Sequence, residues 1–237
     1  MQIIPVFDIK GGILVHAVGG MRQNYQPLST PLLPEPDPKK ACATLVNLGF
    51  DRFYIADLDA ITGDGNNYDI IQDLVEEYQV SVWLDAGLSS SGHLPLLALP
   101  QVSLVLGSET LARFDYLFDI CQQTGKDRLI FSLDTKDGIL LTPDPELKGK
   151  DPADIAAKMF KAGIKELIVL DLKAVGSEGG LNKKLLQGLI NKVPKARIFP
   201  GGGLTPQDIK ELKEMKIPGV LTATALYSKQ IKAKPEL

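Results

Sequence analysis

Short apolar runs alternate with amphipathic stretches along the whole chain. Eight runs rich in Ile, Val, Leu and Phe fall at 2–8, 52–57, 80–85, 102–106, 128–134, 166–171, 196–200 and 219–222. They show little polar alternation, the pattern of strands buried on both faces. Between them the sequence predicts helices near 38–49, 68–78, 92–97, 110–124, 152–163, 182–191 and 205–215. Asp37-Pro38, Asp151-Pro152 and Thr205-Pro206 each place a capping side chain directly before a proline at the first helical position. Eight strands with interleaved helices predict an α/β fold, a parallel (βα)8 TIM barrel, with an open doubly wound sheet as the rival.

The pattern is written twice, in the same order. FDIKGGI (Phe7–Ile13) returns as LDTKDGI (Leu133–Ile139), and FYIADLDAITG (Phe53–Gly63) as LIVLDLKAVGSEGG (Leu167–Gly180). WLDAGLSS (Trp83–Ser90) returns as IFPGGGLT (Ile198–Thr205), and LVLGSETL (Leu104–Leu111) as VLTATALY (Val220–Tyr227). This repeat predicts one domain over 1–237 made of two half-barrels, about 1–125 and 126–237. The first half carries about a dozen extra residues, in VGGMRQNYQPLSTPLLPEPDPKK, where five prolines exclude a helix. A long loop at the barrel mouth is expected there, able to bring Arg22 or Tyr25 over a substrate. After Ala225-Leu226-Tyr227 only SKQIKAKPEL remains, too little for a full outer helix. Another subunit is expected to cover that thin place, making a homo-oligomer.

Composition narrows the function. A hydrophobic content of 44% supports a large core, and a net charge of −3 argues against a general nucleic-acid binder. No apolar run approaches the ~18 residues that span a bilayer, and Met1 leads straight into a strand without a signal peptide. Cys42 and Cys121 stand far apart in helical stretches and read as reduced thiols of a cytoplasmic protein. No His/Cys cluster has zinc spacing, so no metal is expected.

Barrel strands end at the face where barrel enzymes do chemistry. Five of the predicted strands end in a carboxylate: Asp8, Asp57, Asp85, Asp134 and Asp171. Asp8 and Asp134 occupy equivalent places in the two repeats, so the pseudo-twofold sets them across the barrel axis. Crowding should raise one pKa, leaving a general acid opposite a general base, a proton shuttle between adjacent carbons. Gly201-Gly202-Gly203, followed by a helix from Thr205, suits a phosphate, as do Gly107-Ser108, Gly87 and the Ala223-Thr224 turn. Ser177 and His16 are candidates for substrate contact; His93 reads as a surface residue.

Together these motifs resemble the histidine-biosynthesis barrel family, which contains ProFAR isomerase and the cyclase subunit of imidazole glycerol phosphate synthase. The resemblance covers nearly the whole chain. It places the family's two catalytic carboxylates at Asp8, in IIPVFDIKGGILVHAV, and at Asp134, in FSLDTKDG. It places a hydroxyl-bearing site residue at Ser177, in VLDLKAVGSEGGLN, and a phosphate site at GGGLTPQDI with ALY. The chain departs from the family at three turns. Asp85-Ala86-Gly87-Leu88-Ser89 stands where a Gly-Gly-Gly-Ile-Arg-like turn is usual, Ala223 stands for a glycine, and His16 for a basic residue. The chain is most similar to a divergent isomerase-related branch. The resemblance implies an aldose–ketose (Amadori) isomerase of a phosphoribosyl-type aminosugar that works without a cofactor. A cyclase-like lyase of the same family and a non-catalytic phosphosugar-binding or assembly protein are the alternatives.

Overall fold

The computed structural model describes residues 1–18, 24–89, 95–172, 174–175 and 181–232. Its strands are β1 (Gln2–Lys10), β2 (Ile13–His16), β3 (Gln26–Pro27), β4 (Arg52–Asp57), β5 (Ser81–Asp85), β6 (Val102–Gly107), β7 (Leu129–Lys136), β8 (Ile139–Leu140), β9 (Glu166–Asp171), β10 (Arg197–Gly201) and β11 (Gly219–Thr222). Its helices are α1 (Pro38–Asn47), α2 (Leu58–Thr62), α3 (Tyr68–Tyr78), α4 (Tyr116–Thr124), α5 (Pro152–Ala162), α6 (Lys183–Lys192), α7 (Pro206–Glu214) and α8 (Thr224–Tyr227).

Parallel ladders run β10–β9–β7–β6–β5–β4–β1 and then from β1 to β11. This is the cyclic order of a (βα)8 barrel. β10 lies close against β11: a Cβ at Gly201 would sit 3.0 Å from Leu221 Cβ and 3.3 Å from Leu221 O. β2, β3 and β8 are hairpin additions above β1 and β7. β1 and β7 stand four places apart in the eight-strand order, on opposite sides of the axis.

Strand alternation sorts the core into two layers. Leu129, Phe131 and Leu133 face the helices, as do Phe53 and Ile55, and Val82 and Leu84. The other parity faces inward: Ile4, Tyr54, Trp83, Val105, Ile130, Ile168, Phe199 and Leu221, one from each parallel strand, form a separate inner cluster. Trp83 and Phe199 meet edge-on at 4.8 Å. Both faces of every strand are therefore apolar, which is why the strands read as unbroken apolar runs.

The helices start where cap chemistry puts them. Asp37 accepts from the N–H groups of Lys39 and Lys40, and Asp151 from Ala153 N–H. Thr205 and Asp208 form a reciprocal capping box on α7. Two predicted helices are corrected. α4 begins at Tyr116 rather than 110, because residues 107–111 form a tight turn in which Thr110 and Leu111 N–H bond back to Gly107 O. Of 92–97 the described part is a 3-10 turn, Pro95–Ala98, and His93 lies outside the described residues. The short α2, capped by Asp57, is an element that periodicity did not predict.

The proline-rich segment is free of helix over residues 25–37, but its fifth proline, Pro38, opens α1, where the first helical position needs no N–H. It carries Leu28 and Leu33 into the core, and Leu32 N–H bonds to Tyr227 O at 3.1 Å, so this segment of the same chain lies against α8. Cys42 and Cys121 are free and buried, and burial pushes the Cys42 thiol up to about 12. Among the described residues no helix is long and apolar enough to cross a membrane.

Candidate active site

The inward parity of the strands continues into a cavity of about 460 Å³ at their C-terminal ends. Asp8 lines it from β1, Tyr54 and Ala56 from β4, Asp85 from β5 and Asp134 from β7, with Glu109 following β6. Asp8, Ala56 and Asp85 are register partners across three neighbouring strands, so these side chains share one level of the barrel. The roof comes from the β2–β3 hairpin and the proline-rich segment, through His16, Tyr25, Ser29 and Thr30. The far wall is Gly202, Gly203, Ala223 and Thr224.

Asp134 is the most elaborately held of these groups. It is 4% exposed. Ser132 Oγ donates to Oδ1 at 2.7 Å, and Glu109 N–H donates to Oδ2 at 3.4 Å. Its own N–H donates to Ser108 Oγ at 2.9 Å. Burial, and after it the charges of Glu109 and Asp85, push its pKa from the ordinary 3.8 up to about 8, against the pull of the Ser132 and Glu109 donors. Asp134 therefore holds a proton at neutral pH.

Tyr54 is the hub of the carboxylates. Its hydroxyl donates to Asp85 Oδ2 at 3.1 Å. Burial first, then Asp85, Asp134 and Asp8 in turn, keep its phenol well above the usual range, so it remains a donor. Asp85 Oδ1 also accepts from Gly87 N–H at 3.0 Å. Asp134 Oδ2 and Asp85 Oδ2 both lie within 4 Å of the point where a Cβ at Gly107 would sit, the former at 3.0 Å. A side chain at Gly107 would press on Asp134 and come into contact with Asp85.

The expected site residues divide into three groups. Asp8, Asp85, Asp134, His16, Gly202, Gly203, Ala223 and Thr224 share the cavity. Asp57, Asp171, Gly87, Gly107 and Ser108 do not line it. Asp57 and Asp171 sit one residue out of phase with the inward-facing acids. Asp57 is fully buried and accepts from Ala60 N–H, Asn67 N–H and Asn67 Nδ2, which ties α2 to the start of α3. Gly87, at φ +63°, is packed beneath α2: a Cβ there would lie 2.6 Å from Ile61 Cα. Gly107 and Ser108 serve Asp134 from behind. Ser177 and Arg22 lie outside the described residues.

Two cavity residues, Tyr54 and Glu109, escaped the sequence reading. Tyr54 sits in an apolar run and resembled core. Its signal was parity, two residues before Ala56 on the face that also carries the strand-end acids. Glu109 follows Gly107-Ser108 and resembled the first turn of a helix.

The second-half turn is different in kind. Gly202 and Gly203 have φ +87° and +62°. Among the described residues no hydrogen bond takes up the N–H of Gly203 or Leu204, and both residues line the cavity. Such a turn can accept an anion.

Fold and site together define an α/β barrel whose strand-end cavity places acids from two repeated halves around a small-molecule space. The chain belongs to the histidine biosynthesis protein family, whose model matches residues 2–232. It is 28% identical to the ProFAR isomerase of Methanocaldococcus jannaschii over all of this chain and 98% of that protein. It is equally similar, 28%, to an uncharacterized protein of the same organism, over 96% of this chain and 93% of that one. A Bacillus cereus ProFAR isomerase is also 28% identical, over 98% of this chain and 95% of the relative.

Proposed function

We propose that this protein is an aldose–ketose isomerase that carries out an Amadori-type rearrangement on a phosphorylated aminosugar. The observation that carries the reading is the pairing, in one cavity, of a carboxyl that keeps its proton with a second acid from the opposite strand of the repeat. Asp134 is the general acid: its proton goes to the ring oxygen of the aldose, which opens to an imine. Asp8 is the base that removes the proton from the adjacent carbon. The resulting enolamine tautomerises to the 1-amino-ketose, and the two carboxyls return to their starting states. Tyr54 keeps Asp85 oriented between them. Gly202, Gly203 and Thr224 receive the phosphate. Ser177 is assigned by family resemblance to a substrate hydroxyl. Two relatives compared above carry the ProFAR isomerase name, which supports the reaction class.

The test is isotope exchange in D2O. The full-length protein is given ProFAR and simpler N-substituted 5-phosphoribosylamines, and deuterium taken up at the amine-bearing carbon of the ketose is followed by NMR. Exchange and ketose formation that vanish in Asp8→Asn and Asp134→Asn support the reading. Turnover that survives either substitution, or no exchange with any of these sugars, defeats it.

A further inference from the structure

The turns after the third and seventh parallel strands are related in sequence and differ in what their N–H groups do. Asp85-Ala86-Gly87-Leu88 stands at the end of β5 and Gly201-Gly202-Gly203-Leu204 at the end of β10. Gly87 and Gly203 both lie in the left-handed region, at φ +63° and +62°. In the second half the Gly203 and Leu204 N–H groups are not taken up among the described residues, and both residues line the cavity. In the first half Asp85 stands in the place of Gly201, and its Oδ1 accepts the Gly87 N–H at 3.0 Å. The first-half turn thus supplies its own anion from within the chain.

α2 then shuts that turn off. A Cβ at Gly87 would lie 2.6 Å from Ile61 Cα, and Ile61 lines the cavity where Gly87 and Leu88 do not. Val175, the counterpart of Ile61 in the repeat, approaches Gly202 only with a side-chain methyl, 3.3 Å from the Cβ position. The turn after the fourth strand is committed as well. Ser108 N–H donates to Ser132 O, Glu109 N–H to Asp134 Oδ2, and the N–H groups of Thr110 and Leu111 to Gly107 O. Among the described residues, neither first-half turn presents an uncommitted N–H to the cavity, and a phosphate seat of this kind is made of such groups.

The surface that replaces it is apolar. Trp83 and Phe199 meet edge-on at 4.8 Å, which sets the third and seventh strands opposite each other. Ile61 and Leu58 of α2, with Val15 of β2 and Ala56 of β4, line the first-half side and belong to one apolar cluster. Such a surface gains by covering carbon and gives a second phosphate nothing in exchange for its water.

We propose that the ligand of this cavity carries a single phosphate, held at Gly203 and Leu204, and ends on the other side in an uncharged apolar group packed on Ile61 and Leu58. This names the substrate class for the isomerase reading and rests on the phosphate seat proposed above. The name of the isomerase relatives gives their substrate two phosphoribosyl groups; the substrate of this chain keeps one phosphate and exchanges the other for carbon. Ile61 and Leu58 are its specificity-determining residues.

The test is calorimetry on the full-length protein with alkyl phosphates from ethyl to octyl and α,ω-alkane bisphosphates of the same lengths. Affinity for the monophosphates should rise about fourfold with each methylene that reaches α2. A bisphosphate long enough to reach α2 should bind about tenfold more weakly than the monophosphate of its length. Ile61→Asn should flatten the rise. A bisphosphate that binds as well as its monophosphate, an affinity that does not grow with chain length, or a rise intact in Ile61→Asn overturns the inference while the phosphate seat stands. The first two outcomes need only the parent protein, so they decide the question even where the variant does not fold. If no alkyl phosphate binds at any length, the seat itself falls, and this inference with it.

Discussion

The two halves of this chain repeat the same sequence motifs and divide the labour of the cavity unequally. Each supplies one acid at the end of its first strand, Asp8 or Asp134. α3 in the first half and α6 in the second each start at an asparagine, Asn67 or Asn182. Beyond that they part. In the first half Gly87 is sealed under α2, and Asp85 and Glu109 turn acidic faces to the cavity. In the second half Gly202 and Gly203 open to it, with Ala223 and Thr224 beside them.

The sharpest way to break this comparison is through the shared element. Asp8→Asn and Asp134→Asn should each lower kcat by about a thousandfold, within the range for removing a general acid or base, with far-UV circular dichroism unchanged. A loss confined to one of them would show that only one half performs the chemistry.

The next effect separates the two acids by pH. The folded state holds the Asp134 proton up to about pH 8, whereas the unfolded chain releases it near 3.8. The unfolded state therefore binds fewer protons between those values, and stability falls as pH rises through that window. Asp134→Asn should abolish that part of the decline: its melting temperature should match the parent near pH 4 and exceed it at pH 8. Activity of the parent should fall as pH passes about 8, when the general acid deprotonates. Parallel melting curves for both proteins across this range would contradict the buried, protonated acid.

Smaller effects contrast the glycine turns. Gly87→Ala forces a Cβ to 2.6 Å from the Ile61 backbone at φ +63°, and should cost about 3 kcal/mol of stability in chemical denaturation. Gly202→Ala meets backbone only at 3.1 Å; it should cost about 1 kcal/mol in stability but weaken alkyl phosphate binding, which Gly87→Ala leaves nearly intact in the folded fraction.

The smallest contrast lies in the two asparagines. Asn67 Oδ1 accepts from Gly12 N–H, and its Nδ2 reaches both Asp57 and Asp59 at 2.7 and 2.8 Å. Asn182 accepts from Leu185 N–H as an ordinary cap. Asn67→Ala should cost about 2 kcal/mol for its buried bonds, and Asn182→Ala about 1 kcal/mol, both read by urea titration.

Much of this architecture was legible in the sequence because both faces of each barrel strand are buried. The apolar runs marked the eight strands to within a residue or two, and aspartate or threonine before proline marked three helix starts. The repeat pointed to Asp8 and Asp134, and both line the cavity. What escaped depended on parity and on short-range turns. A strand-end aspartate faces the cavity only on the inward phase, which separates Asp8, Asp85 and Asp134 from Asp57 and Asp171. α2 is too short to show a helical period. The Gly107–Leu111 turn resembles the start of α4, which hid the placement of Glu109. Glycine runs do not reveal whether their turn is open: Gly87 is closed by Ile61, a residue of α2.

The closing seam carries one more consequence. β1 takes its second parallel partner from residues 219–222, and the Tyr227 hydroxyl reaches back to Val6 O at 2.7 Å, two residues before Asp8. During synthesis β1 therefore keeps one unpaired edge until residues 219–222 have been made. Loss of β11 would leave that edge of β1 open to pairing with neighbouring molecules.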